Sequence, residues 1–291
     1  MSAEYTWWFW PLVLFVLTFV LGILAVMAGV GGGVLFVPIV GTYFPFHIDF
    51  VRGAGLIVAL TGALAAGPGL LRCNLANLRL AMPCALIAST FAIIGGIIGL
   101  MLSKDYAWLI RLLLGITVIL IAIVILKAKR AEFPEVKEPD SLSKALGIMG
   151  IYYDEALGKE VEWKIHRTPQ SLAIFALIGI IAGMFGLGAG WANVPVLNLS
   201  MGAPLKIATG TSKFLLSITD TSAAWVYING GRVLPLITVP SVLGIMLGSF
   251  VGVRVLAKAK PSFVKIVVVA MLILAGLSSI YKGLAQGGFL G

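Results

Sequence analysis

Gly29-Val30-Gly31-Gly32-Gly33-Val34-Leu35-Phe36-Val37-Pro38 closes one long apolar run and opens another. It occurs again, as Gly186-Leu187-Gly188-Ala189-Gly190-Trp191-Ala192-Asn193-Val194-Pro195, 157 residues further on. At that offset Gly22, Ile23, Ala25, Met27, Gly29, Gly31, Gly33, Val37 and Pro38 meet identical residues at Gly179, Ile180, Ala182, Met184, Gly186, Gly188, Gly190, Val194 and Pro195. The register continues without a gap to Gly53 over Gly210 and Pro83 over Pro240. This reads as an internal duplication.

A glycine cluster between apolar segments breaks a helix, because Gly is a poor interior residue that readily turns left-handed. Inside a bilayer the freed backbone amides need partners. The helix that restarts after the break offers its N-terminal N–H groups and the positive end of its dipole to an anion. Broken helices at matching places in two repeats are the sequence pointer to a transporter site. Close packing through small residues is the competing explanation. Retention of both the Gly spacing and the Pro favours a site.

The rest of the composition agrees with a membrane setting. Sixty per cent of the chain is hydrophobic, 11% is charged, and the mean hydropathy is +1.06. The net charge of +9 arises mostly from Lys and Arg flanking apolar runs, so it is not a nucleic-acid signal. Cys73 and Cys84 make neither a disulfide framework nor a metal pattern, and no cofactor motif is present. Trp7, Trp8 and Trp10 suit an interfacial aromatic belt.

Apolar segments fall at 7–28, 34–46, 53–71, 80–102 and 108–126, and again at 171–186, 191–203, 207–228, 233–256 and 262–284. The 34–46 and 191–203 pieces are short: thirteen helical residues reach about 20 Å against a hydrocarbon core of about 30 Å. If 7–46 and 171–203 are hairpins folded at the glycines, each repeat crosses an odd number of times and the halves are inverted. That arrangement puts 15 Lys and Arg inside and 5 outside, against 12 and 8 for eight simple spans with the N-terminus inside. The positive-inside rule selects the inverted form, with the N-terminus outside. It does not distinguish hairpins that cross fully from hairpins that turn back at mid-membrane; the latter, in which the two glycine tips approach each other near the midplane, is the arrangement expected here.

The expected fold is therefore an all-α, multi-pass membrane protein of two inverted repeats, 1–127 and 171–291. Each has a Gly-broken, re-entrant helical hairpin followed by three spans. Residues 128–170 form a cytoplasmic linker in which Met149–Asp154 and Glu160–Ile165 pair as a small β-hairpin.

The second repeat is polar where the first is not. Residues 207–228 hold Thr211, Ser212, Lys213 and Asp220, with Leu56 opposite Lys213 and Ala63 opposite Asp220 in the duplication. Ionisable residues inside a span are costly and mark function by default. Lys213 and Asp220 are seven apart, hence on one helix face. Lys213 is expected to attract an anion and Asp220 to couple a proton, with an internal ion pair as the plain alternative. Thr211, Ser212 and Asn193 offer donors, and Trp191 a wall. The candidate substrate site is Gly31, Gly32, Gly33, Gly188, Gly190, Trp191, Asn193, Thr211, Ser212 and Lys213, with Asp220 for coupling. His47, Asp49 and Arg52 fall where a solvated outer loop is expected.

The paired Gly-x-Gly-Gly-Gly-x-x-x-x-Pro and Gly-x-Gly-x-Gly-x-x-x-x-Pro motifs, with Thr211-Ser212-Lys213-Phe214 opening a later helix, resemble the TauE/SafE sulfite exporter family, also called the 4-toluene sulfonate uptake permeases. The resemblance covers both repeats. It implies a secondary transporter in the plasma (inner) membrane for small sulfur-containing anions such as sulfite, sulfoacetate or other organosulfonates, often moved outward. Trp191 and Lys213 depart from the bare motif. A passive anion channel is the alternative. An intramembrane enzyme is disfavoured: Ser212 and Lys213 are adjacent and point to different helix faces, and no second membrane Asp pairs with Asp220.

Overall fold

The structure, a computed structural model, describes residues 8–28, 31–72, 76–127, 132–136, 138–154, 158–256 and 261–289. Cys73, Asn74 and the first two residues of the first glycine motif lie outside them. The chain is nearly all α. In order it runs α1 (Phe9–Ala28), α2 (Gly32–Tyr43), α3 (Ile48–Arg72), α4 (Leu78–Asp105) and α5 (Ala107–Lys127). The linker carries α6 (Ser141–Ala145), β1 (Met149–Asp154) and β2 (Lys159–Lys164). Then follow α7 (Thr168–Phe185), α8 (Gly190–Pro195) with a π-helical turn Val196–Ser200, α9 (Leu205–Asn229), α10 (Pro235–Leu256) and α11 (Pro261–Gln286).

Among the described residues seven helices are long and apolar enough to cross a bilayer: α1, α3, α4, α5, α7, α10 and α11. Outward side chains of α4 such as Leu86 and Met101, about 70% exposed, form part of the apolar belt that lipid would cover. The polar helix α9 is not among the seven, although its 25 residues would reach about 37 Å. It packs on both α3 and α4. Thr211, Ser212, Thr219 and Asp220 are thus enclosed by protein instead of facing lipid, while Thr221 is exposed.

Both glycine stretches interrupt helices. Gly31 is the extended N-cap of α2, a 12-residue helix whose residues from Gly32 to Thr42 are all buried. Gly186, at φ +70°, terminates α7, and Gly188, at φ +71°, turns the chain into α8. Two left-handed residues so close together explain why this turn is written in glycine.

Helix packing is close and paired. α1 lies on α10, α7 on α4, α3 on α9 and α5 on α11. A Cβ on Gly22 would sit 2.7 Å from the Ile245 carbonyl and 3.0 Å from the Ser249 amide. A Cβ on Gly179 would strike the Ala88 carbonyl and come within 3.1 Å of the Ala92 amide. Likewise Gly252 abuts Ile23 and Gly95 abuts Ile180. In each case the second pair of residues is the first displaced by 157 positions, with the halves exchanged.

The linker is folded onto the helices at one end. β1 and β2 pair antiparallel, Tyr152 opposite Val161, and Tyr152 and Trp163 are buried against the helices. Thr168 Oγ1 donates to Asp140 Oδ1 at 2.8 Å, fixing the start of α7 to the linker.

Replacing Gly179 by Val should lower the unfolding temperature of the detergent-purified protein, with an overpacking cost of about 1–3 kcal/mol. Gly62→Ala, where an added Cβ meets nothing within 4 Å, should leave it unchanged or slightly raised. Equal unfolding temperatures for the two variants would contradict the close packing.

Candidate functional site

The two glycine breaks meet each other. A Cβ on Gly190 would lie 3.0 Å from the Gly31 amide nitrogen, and one on Gly33 would lie 2.6 Å from the Leu187 carbonyl. Gly188 turns directly over Asp220, whose Oδ2 is 2.9 Å from where a Cβ would stand. Backbone passes backbone here because no side chain intervenes.

Beside this crossing is a narrow crevice with room for about one water molecule. Gly31, Gly32, Ala59, Ala63, Lys213 and Ser249 are among its walls. The N-terminus of α2 and the Lys213 ammonium therefore serve the same space. The far end of α2 is matched to its negative pole: Arg111 Nη1 donates to the Gly41 carbonyl at 2.7 Å, and Lys282 Nζ bonds the Thr42 carbonyl. With cations at its C-terminus and small residues at its N-terminus, α2 presents its positive pole to the crevice.

Three expected site residues, Asn193, Trp191 and Asp220, lie around the crossing rather than in the crevice wall. Asn193 is fully buried, and neither its amide oxygen nor its amide nitrogen has a hydrogen-bond partner. The Trp191 indole nitrogen is likewise buried and unpartnered, while its ring packs between the two large apolar clusters. Asp220 is fully buried with both carboxylate oxygens unpartnered; the Ala189 amide faces it outside hydrogen-bonding geometry. Lys213 is two turns away and influences Asp220 across space, without a direct ion pair. The plain ion-pair alternative thus has no contact behind it.

Thr211 and Ser212 are buried, but Thr211 is engaged elsewhere. Its Oγ1 accepts from the Asn77 backbone N–H at 3.1 Å. Asn77 is the N-cap of α4, its side chain accepting from the Leu80 amide at 2.9 Å. Thr211 thus fastens the start of α4 to α9.

One expectation needs correcting outright. Asp49 and Arg52 are not in a solvated loop. α3 begins at Ile48, five residues before the apolar run, and draws both inside, 2% and 0% exposed. Arg52 Nη1 bonds Asp49 Oδ1 at 2.9 Å, and its Nε and Nη2 bond the Tyr227 hydroxyl at 3.1 and 2.7 Å. Reading by hydropathy alone missed this cluster. The i, i+3 spacing of Asp49 and Arg52 was the available signal.

The sequence profile described as Sulfite exporter TauE/SafE matches residues 14–279. The chain belongs to the TauE/SafE family. It is similar to the "Probable membrane transporter protein YunE" of Bacillus subtilis (strain 168), 23% identical over 94% of this chain and 98% of that protein. It is also similar to the "Probable membrane transporter protein MJ0441" of Methanocaldococcus jannaschii, 22% identical over 91% of this chain and 93% of that one. No solved structure matches it. As a TauE/SafE protein it is a multi-pass membrane transporter and not an enzyme.

Asn193 supplies a test that separates binding from folding. A buried amide with no partner costs about 1–3 kcal/mol. Asn193→Leu should therefore leave the ligand-free protein at least as stable as the parent, while weakening its response to a bound anion. A marked loss of stability in the ligand-free variant would show instead that the amide is satisfied within the fold.

Proposed function

We propose that this protein is a secondary transporter that carries sulfite or small organosulfonates outward across the plasma membrane. The observation that carries the reading is the shared crevice: the α2 N-terminus at Gly31 and Gly32 opens onto the same space as Lys213. A helix N-terminus and an ammonium together suit a small anionic head. The unpartnered Asn193 amide and Trp191 indole, on the helix that follows the second break, are further buried donors. The narrow, small-residue lining favours a compact anion over a bulky one.

In this reading the two halves, 1–127 and 171–291, are inverted repeats, and the exchanged packing of α1 on α10 and α7 on α4 supports it. The site lies where their breaks cross, so rocking one half against the other exposes it alternately to each side. The linker, residues 128–170, is cytoplasmic and the N-terminus outside, as the distribution of Lys and Arg favours. Asp220, sealed beneath Gly188, exchanges the coupling proton. Lys213 alone brings one positive charge to the crevice, so protonation of Asp220 offsets the charge that an anion brings in.

Thermal unfolding in detergent against sulfite, sulfoacetate, taurine, sulfate and acetate tests the substrate class. A ligand at a hundredfold excess over its Kd should stabilise the folded protein by about 2.7 kcal/mol. Lys213→Ala should abolish the shift given by sulfite or a sulfonate; an undiminished shift would remove Lys213 from the site. In proteoliposomes, Asp220→Asn should keep the shift and lose the pH dependence of flux. Retained pH dependence would move coupling away from Asp220, and electrodiffusive current in place of saturating flux would mark a channel.

A further inference from the structure

The Asp49–Arg52–Tyr227 cluster is the largest investment of buried charge that the site above does not use. Arg52 is completely buried, and removing one member of a buried ion pair is costly, so its retention calls for a role. The cluster ties together parts that are far apart in sequence. Arg52 and Asp49 come from the start of α3, Tyr227 from the last turn of α9. The Tyr227 hydroxyl donates to the Gly183 carbonyl at 2.9 Å, in the last turn of α7. Immediately beyond that turn, Gly186 is pressed against the Arg52 backbone, where a Cβ would strike the Arg52 carbonyl. The second glycine break is thereby held to α3 through both backbone and side chain.

Its place along the helices is equally informative. α9 begins at the linker, where the Leu205 amide bonds the Glu132 carbonyl at 3.2 Å. Tyr227 is 22 residues further along, about 33 Å away at 1.5 Å per residue. Lys213 and Leu216, which line the crevice, lie between. On α3, Ala59 and Ala63 of the crevice are about two and about three turns beyond Arg52, again toward the linker end. The cluster therefore stands between the crevice and the end of the molecule remote from the linker. At its rim Arg232, 41% exposed, approaches Asp49 Oδ2 at 3.9 Å and lies over the Phe50 ring.

We propose that Asp49, Arg52 and Tyr227 form the latch of the gate remote from the linker, closed in this structure, and that opening requires Tyr227 to release the end of α7 and Arg52 to give up Tyr227. The proposal rests on the crevice being the transport path. These three are positioning residues: they hold the second glycine break against α3 without touching substrate. Of these bonds, the one from the Tyr227 hydroxyl to the Gly183 carbonyl joins α9 to the end of α7, and Arg52, itself held by Asp49, fixes that hydroxyl from α3; breaking them frees the second break while leaving the paired helices α1–α10, α4–α7 and α5–α11 in place.

The test uses one reporter cysteine at Ser249, a crevice residue, in a chain carrying Cys73→Ser and Cys84→Ala. A membrane-impermeant thiol reagent is applied from the remote side of oriented vesicles. The parent should react slowly. Asp49→Asn and Tyr227→Phe should each raise the rate at least tenfold, and Asp49→Glu should restore slow labelling. Tyr227→Phe removes a single hydroxyl, so it tests the latch even if Asp49→Asn proves too unstable to purify. Unchanged labelling in folded Tyr227→Phe and Asp49→Asn overturns the latch. The sulfite-induced thermal shift, read on the same samples, separates the two ideas: variants that stay closed yet still respond to sulfite would refute the latch alone. Variants that open without any response to an anion would support the latch and remove the substrate assignment.

Discussion

The structure depends on a contact between two backbones. At Gly31 and Gly190 the two chain breaks pass within van der Waals distance, and at Gly33 and Leu187 they are closer than any side chain would allow. A single Cβ at Gly190 or Gly33 would force them apart. The polar groups of the candidate site are arranged about that crossing. It gives α2 a free N-terminus, places Asp220 under the turn at Gly188, and brings the Lys213 helix alongside. Two short helices that could not span a bilayer alone become tolerable because each is enclosed by full-length neighbours. The irregular backbone is thereby kept away from lipid.

The energetic consequence falls on α9. A helix carrying Lys213, Asp220 and a series of hydroxyls is poorly suited to hydrocarbon. It is accommodated by burial between α3 and α4, and by bonds that turn hydroxyls inward to its own carbonyls. Thr219 bonds the Leu215 carbonyl, Ser222 that of Ile218 and Thr221 that of Ser217. Those residues satisfy themselves locally. Asp220 and Asn193 do not: their side-chain polar atoms are buried and have no hydrogen-bond partner.

What was legible in the sequence followed from strong local physics. Glycine clusters cannot sit quietly inside a helix, so both breaks were visible. The short apolar pieces after them fit no spanning length, so buried half-helices were expected, and α2 and α8 with its π turn are such pieces. Alternating residues around Glu155–Lys159 gave the β-hairpin. The failures came where burial is decided by distant partners. Hydropathy ends the α3 segment at Gly53, because Asp49 and Arg52 look like loop residues. They become helical and buried because Tyr227, 175 positions away, accepts the guanidinium. The bond by which the Thr211 oxygen accepts from the Asn77 amide comes from another element and is equally invisible in a linear reading, and it leaves the Thr211 O–H able to donate.

The two half-helices are enclosed alike but anchored differently, and this asymmetry bears on which of them moves. α2 is held at its C-terminal end by Arg111 of α5 and Lys282 of α11, two long helices packed on each other. Neither cation has a counterpart in the other half, since the matching positions are Val268 and Ile125. α8 continues into a π turn and ends at Met201 and Gly202, and its supports come from the linker and the start of α7. The Met201 carbonyl accepts from the His166 amide at 2.9 Å, and Ser200 and Ser171 share a hydrogen bond of 2.9 Å. Gly202, at φ +83°, leaves room for Val136, which a Cβ would strike. The first half-helix is thus fixed to the membrane scaffold by charge, and the second to a peripheral segment by a few neutral hydrogen bonds. A charge-assisted bond is roughly twice as strong as a neutral one. A shift of α8 at the crossing would therefore break weaker bonds than a shift of α2, and part of what holds α8 comes from the linker.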